Sequence, residues 1–281
     1  MERGNFFERM ERELNLQHEY EKIDSIILNE KIKGNTIDDI ITYFFGRWKD
    51  KKNFISFYEL RSCMEFLYNQ DPFDIERYPT AQVKDINDFL LYCEMMMNMF
   101  AGTVLPYANT IICDKVKMVN EIMLYDLEKL NYEAKNMDDR IIIVQKDASV
   151  ISVADIVEST LADTIVEYNH FLLNGDIEKK KSILKTIADA LEPKRHELDQ
   201  INKSFTSDLF YLLNNMNIRH NNCDENDFKN YNPVFARLSV DEVETWYDDI
   251  FQQELMVFLF LEQKKRNIRI NTFKKAVKGN I

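Results

Sequence analysis

Turn-forming residues are scarce in this chain: six glycines and five prolines serve 281 residues. Tight hairpins and bulges use glycine to reach positive φ, and proline to start many turns. β-Sandwiches and barrels need such turns at short, regular intervals and are therefore disfavoured. At 45% apolar and 12% aromatic, the chain can still bury a sizeable core, as one large domain or two modest ones. The expected fold is all-α, mainly a helical bundle.

Helical signals recur along the first half. A first helix is expected over about 6–33, closed by Gly34. Thr36-Ile-Asp-Asp39 resembles a capping box ahead of Ile40, Ile41, Phe44 and Phe45. Residues 54–68 read as another helix, stopped by Asn69-Gln-Asp-Pro72. Over 80–101, Val83, Ile86, Phe89, Leu90, Cys93, Met96, Met97 and Phe100 recur on one helical face. Met95, Met96, Met97 and Met99 fit an adaptable core patch. A further helix is expected over 107–130.

The period then changes. Ile141-Ile-Ile-Val144 is a run of β-branched residues, which lose χ1 freedom in a helix and pack well on a pleated surface. Paired with 131–135 across a polar turn at 136–139, it predicts one small β-hairpin over 131–146. A lone hairpin is marginal, so it is expected to lie against helices. It divides the chain into an N-terminal helical domain (1–130), a hairpin connector (131–148) and a C-terminal helical bundle with a basic tail (149–281).

In that second half, Ser152-Val-Ala-Asp155 reads as a helix start for a stripe of Ala154, Val157, Leu161, Ile165 and Tyr168, ended by Gly175. Asp176 is placed to cap the next helix, and Pro193 to begin a long one through Leu198, Ile201, Phe205, Leu209, Leu212 and Met216. Ser239-Val-Asp-Glu242 opens the last helix. Its segment 255–261 is apolar on all sides, which predicts central burial or a subunit interface, and hence a homodimer.

Charge and cysteine usage narrow the function classes. The formal charge is −12, from 36 basic and 48 acidic residues, so the molecule as a whole repels polyanions. That balance is uneven: Lys264, Lys265, Arg266, Arg269, Lys274, Lys275 and Lys278 crowd the C-terminal region. Such a basic segment can follow an RNA backbone. Cys63, Cys93, Cys113 and Cys223 are too few and too dispersed for a disulfide framework or a zinc motif. The start MERGNFFERMERELN lacks the apolar stretch of a signal peptide. The longest apolar stretch, 89–105, is interrupted by Glu94, Asn98 and Gly102, which argues against a membrane span. A cytoplasmic location is expected, with no metal, cofactor or DNA-specific signal. Asp38-Asp39 falls in the opening turn of a helix, where the dipole favours acids, and Asp248-Asp249 lies mid-helix without partners at suitable spacing, so neither reads as a metal site.

The most unusual segment is Leu212-Leu-Asn-Asn-Met-Asn-Ile-Arg-His-Asn-Asn-Cys223, with five asparagines. Asparagine favours helix ends, so a C-terminus is expected here. Leu198, Phe205, Leu212 and Arg219 are spaced by seven, so Arg219 would continue an apolar stripe if the helix ran on. Arginine binds phosphate through its planar fork, and histidine moves protons near neutrality. Arg219 and His220 are therefore candidate catalytic residues for metal-independent RNA cleavage. Asn214, Asn217, Asn221, Lys264, Lys265 and Arg266 are candidate RNA contacts. A capping role is the competing reading, because cations suit the last turn of a helix. Arg195-His196 reads as a solvated surface pair or as paired with Glu192, and His170 as a structural histidine.

Asp208-Leu-Phe-Tyr-Leu-Leu-Asn-Asn-Met-Asn-Ile-Arg-His-Asn-Asn222, followed by Glu244-Thr-Trp-Tyr-Asp248, resembles bacterial abortive-infection proteins and, more broadly, the HEPN superfamily. Val166-Glu-Tyr-Asn-His-Phe-Leu-Leu-Asn-Gly-Asp176 and Leu191-Glu-Pro-Lys-Arg195 carry the same likeness, which spans roughly 130–265. The resemblance implies a helical phage-defence or toxin-type domain that binds RNA and, in catalytic members, cleaves it as a dimeric, metal-independent ribonuclease. Those members separate the Arg from the His by four to six residues, whereas Arg219 and His220 are adjacent. Arg12 and His18 have the family's gap but stand in an amphipathic N-terminal segment. Other members are noncatalytic RNA- or protein-binding modules, the alternative expectation here.

Overall fold

The computed structural model describes residues 14–32, 34–48, 83–137 and 140–279. The chain forms two compact units, 1–145 and 146–281. Among the described residues it is mainly helical, with one two-stranded antiparallel hairpin, as the turn-residue shortage implies.

The first unit contains α1 (Leu16–Asn29), α2 (Ile37–Phe44), a 3-10 turn (Phe45–Arg47), α3 (Ile86–Met99), a π-turn (Phe100–Val104), α4 (Thr110–Lys129), β1 (Tyr132–Met137) and β2 (Arg140–Gln145). Of the first helix expected over 6–33, residues 6–13 and 33 lie outside the described residues, and within them α1 spans Leu16–Asn29. Asn15 caps its start by accepting from the His18 N–H, and it ends at Asn29, before a small Ile32–Asn35 bridge in which Gly34 sits at φ +94°. The helix expected over 54–68 lies outside the described residues. At α2 the capping box is complete: Thr36 and Asp39 bond each other's backbone N–H groups. The methionine patch is buried, with Met96 and Met99 wholly so. Trp48 is buried against the π-turn, where Gly102 lets the indole approach so closely that a Cβ there would stand 2.3 Å from Trp48 Cδ1.

The hairpin runs Tyr132 opposite Gln145 to Met137 opposite Arg140. Expected as a connector, it is instead part of the first unit. On α3, Glu94 and Asn98 are one turn apart and face β2. Asn98 Nδ2 donates to the Ile141 carbonyl at 2.7 Å, and the Ile141 N–H donates to Asn98 Oδ1 at 2.7 Å. The Ile143 N–H donates to Glu94 Oε2 at 2.7 Å. Two polar side chains thus take the place of a third strand and satisfy backbone groups that an open sheet edge would expose. This is why consecutive residues Ile142, Ile143 and Val144 can all be buried.

The second unit contains α5 (Ala148–Ala154), α6 (Ser159–Glu167), a 3-10 turn (Phe171–Leu173), α7 (Ile177–Leu191), a 3-10 turn (Glu192–Lys194), α8 (Arg195–Asn215), a further 3-10 turn (Phe235–Arg237) and α9 (Val240–Gly279). The helix expected to start at Ser152 is corrected to two. Asp147 caps α5 by accepting from the Ser149 and Val150 N–H groups, and Ser152 lies inside it, bonded back to the Ala148 carbonyl. The break at 155–158 lets Val150 and Val153 share a core with Leu161 and Ile165. Gly175, at φ +80°, does not end α6 but forms the turn into α7, which Asp176 caps.

Inside α8, Asn202 leaves helical angles (φ −153°, ψ 92°), and its side chain accepts from the Phe205 N–H, restarting the helix as an internal cap. Leu198, Leu209, Phe210 and Leu213 remain on the buried side. The expected basic tail is corrected as well: it is the C-terminal part of the 40-residue helix α9. The all-apolar segment 255–261 is mostly absorbed by the unit's own core. Leu255, Val257, Phe258 and Leu261 are buried, and Phe260 rests edge-on against Phe205, while Met256 and Leu259 stay partly open.

Candidate functional site

Helix α8 stops before the Arg219-His220 pair, so the two do not extend its stripe. The Met216 N–H closes the last turn on Leu212, and Asn217 takes a left-handed conformation at φ +59°. Asparagine tolerates that region because its short polar side chain bonds locally. Here the Asn217 N–H donates to Asn222 Oδ1 at 2.6 Å, and the Asn222 N–H donates back to Asn217 Oδ1 at 3.1 Å. Asn232 Nδ2 ties Asn215 into the same loop by donating to its carbonyl at 3.0 Å. The asparagine enrichment is therefore a folded helix-terminating loop.

The six residues expected to contact RNA fall in two places, the end of α8 with its following loop and the basic part of α9. Asn214 is half-buried on α8, with Oδ1 enclosed and without a hydrogen bond. Asn217 is occupied as the hinge, and Asn221 Oδ1 accepts from the Cys223 N–H. Lys264, Lys265 and Arg266 lie on α9, where Lys264 meets Glu197 at 3.0 Å and Arg266 reaches Glu262 at 3.4 Å.

Arg219 and His220 diverge as well. The Arg219 N–H helps close α8 by donating to the Leu213 carbonyl, while its guanidinium lies 2.7 Å from Glu192 Oε2. That oxygen has no aligned hydrogen bond, so the contact is one of charge. His220 is exposed. What the fold does unite is Arg219 with Arg195, 24 positions earlier in sequence. Arg195 lies 4.0 Å from Glu192, and both guanidinium groups approach the Phe210 ring, at 4.5 Å and 6.0 Å. One carboxylate thus serves two arginines, leaving net positive charge at the α7–α8 junction. Lys194 lies over Phe258 of α9 at 5.4 Å, and the Lys264–Glu197 bridge joins the same junction to the start of the basic half of α9.

From there α9 carries seven cations and no acid over 264–279, and residues 265–279 are exposed. Lys265 and Arg269, and again Lys274 and Lys278, are like charges four apart, which destabilise an isolated helix. A polyanion would relieve that repulsion. Removing these seven charges from the total of −12 leaves −19 on the remainder, so the basic region contrasts sharply with the rest of the chain.

A second polar cluster escaped the sequence reading. Lys180 of α7 is buried and reaches Glu244 at 2.8 Å and Asp248 at 2.7 Å on α9, while the Tyr168 hydroxyl donates to Asp248 at 2.8 Å. Asp248, expected to lack partners, is therefore held by a lysine and a tyrosine. Burial, reinforced by Asp248, pushes the Tyr168 hydroxyl well above its ordinary range. The available signal was Lys180 itself, a lysine on the face that Ile177, Leu184 and Ile187 make apolar. The cluster is internally neutralised and ties α6, α7 and α9 together. His170 is buried edge-on to Phe171, in keeping with a structural role.

Among the described residues no group of three or more His, Cys, Asp or Glu side chains could hold a metal ion, and no helix is long and apolar enough to cross a membrane. No protein-family profile, curated protein or solved structure matches the chain.

Proposed function

We propose that this is a cytoplasmic, HEPN-like protein of the abortive-infection type whose second unit engages RNA. The observation that carries the reading is the acid-free run of seven cations on the exposed half of α9, linked through Lys264 to the arginine pair that shares Glu192. Phosphates would bind along α9 and compete with Glu192 for Arg195 and Arg219. Cleavage by Arg219 and His220 requires that competition to succeed, because the guanidinium is otherwise committed to Glu192. RNA binding is thus the primary function proposed, with metal-independent cleavage as a dependent step.

The test is affinity for a single-stranded RNA as a function of salt, with K264E/K265E/R266E as the comparison. Wild type should show a steep loss with salt, of slope about −0.7 per neutralised phosphate. The variant should bind weakly with a shallow slope. Incubation with RNA in EDTA, alongside Arg219→Ala and His220→Ala, tests the catalytic step; equal product from all three would refute it.

A second reading has its own observation. Ile270, Phe273 and Val277 are exposed along one side of the basic helix, which fits an acidic amphipathic partner helix in a noncatalytic interaction or regulatory module. Ile270→Ser with Phe273→Ser would abolish that interaction while leaving RNA affinity within a few fold.

A further inference from the structure

The first unit carries a solvent-facing assembly of rings and a guanidinium that neither the core nor the basic helix explains. At the end of α2, Phe44 stacks on Tyr107, with centroids 4.8 Å apart and planes 20° apart, and Tyr43 meets Phe44 edge-on at 4.8 Å. The Arg47 guanidinium lies 5.2 Å from the Phe44 centroid and 5.0 Å from that of Tyr107. Tyr43 is 78% exposed and Tyr107 45%. Arg47 is exposed and makes no ion pair among the described residues. Among the described residues, the acids nearest to it along the chain, Asp39 and Asp38, stand at the far end of α2, about 12 Å away at 1.5 Å per residue.

The assembly is held from behind. Phe45 is buried, and Trp48 packs against Phe45 at 6.0 Å and against the surface of Gly102. The turn bearing Arg47 is thus pinned between two buried aromatic residues, and the exposed rings are presented already ordered.

We propose that Tyr43, Phe44, Arg47 and Tyr107 form a base-stacking site for single-stranded RNA. Every nucleobase offers a π-face to the open Tyr43 ring, and the unpaired guanidinium can take the adjoining phosphate through two N–H groups. Along the chain, Thr42 and Gly46 beside these rings are polar or small. A protein interface calls for a broader apolar centre. The choice of RNA rests on the reading of the second unit; the site, its residues and its chemistry do not.

The experiment uses the full chain and two labelled probes of equal length and charge: an oligouridylate and the corresponding abasic ribose-phosphate strand. Wild type should bind the base-bearing strand about tenfold more tightly. Tyr43→Ala should remove that preference without affecting the fold, since the side chain is mostly in solvent. Arg47→Lys, which keeps the charge and loses the planar fork, should reduce it. K264E/K265E/R266E should weaken both probes alike and leave their ratio unchanged. Equal wild-type affinity for the two strands overturns the stacking site and spares the RNA reading. Binding of neither strand overturns both, and a ratio that survives Tyr43→Ala and Arg47→Ala places base recognition elsewhere, refuting the assignment.

Discussion

Arg219 and Glu192 face each other at 2.7 Å across the α7–α8 junction, and Glu192 also neutralises Arg195 at 4.0 Å. Removing that one carboxylate frees two guanidinium groups at once. Glu192→Gln should therefore tighten RNA binding several-fold at low salt, with the gain shrinking as salt rises. The ion pair is partly exposed, so its loss should alter stability by about 1 kcal/mol or less. Affinity measured at two ionic strengths, with a urea melt, checks both parts. An unchanged or weakened affinity would place RNA away from this junction.

Asn98 is expected to be the more sensitive structural position. Asn98→Ala leaves the Ile141 N–H and C=O without their partner at the covered sheet edge. Stranding a buried polar group costs about 1–3 kcal/mol. Asn98→Asp should also destabilise, because a carboxylate can accept from the N–H but meets the carbonyl with a like partial charge. Denaturant unfolding and amide exchange of Ile141 and Ile143 report this directly.

Gly102→Ala puts a methyl group 2.3 Å from the Trp48 ring. Overpacking of this kind costs about 1–3 kcal/mol. Because Trp48 anchors the turn that bears Arg47, the variant should also shift tryptophan emission and weaken base-dependent RNA binding. A stability equal to wild type would show that the indole relocates freely.

Asp126 gives the first unit a pH dependence. Burial, followed by the neighbouring Glu19, raises its carboxyl from 3.8 to about 6, while Lys22 and Lys129 act in the opposite sense; Cys93 also faces it. An acid whose folded pKa is raised contributes most stability below its unfolded pKa, and that contribution is lost as pH climbs through the folded value. Asp126→Asn should thus match wild type near pH 4, become relatively more stable between pH 4 and 6, and hold a constant advantage above. Paired urea titrations across that window measure the difference.

Glu254 stands wholly buried on α9, with neither carboxylate oxygen hydrogen-bonded, and burial holds its carboxyl well above the usual range. Glu254→Met, of similar length, should stabilise the second unit by about 1–3 kcal/mol at neutral pH. A destabilised variant would show that the carboxyl has a buried partner such as water.

Helices with sharp ends were legible because capping is local chemistry. Thr36 with Asp39, Asp176, and Ser239 with Glu242 act within four residues of themselves, and each is found as read. Apolar spacing does not reveal the break within 152–168, where Asp147 offers an earlier cap, or the one at Asn202, where a side chain recaps its own helix. Arg219-His220 was legible as a helix end but not as a pair with one direction, because the left-handed turn at Asn217 re-aims both side chains.

The sequence alone determined a helical chain with one hairpin, because periodicity, β-branched runs and turn-residue frequency act over a few neighbours at a time. It also determined that positive charge is concentrated near the C-terminus. Tertiary structure decided which distant groups meet: Asn98 with Ile141, Lys180 with Asp248, Arg195 with Arg219 across Glu192, and Arg47 with Tyr107. These pairings lie 43, 68, 24 and 60 positions apart in sequence. They are set by how helices pack and where loops turn, and spacing along one element does not encode them.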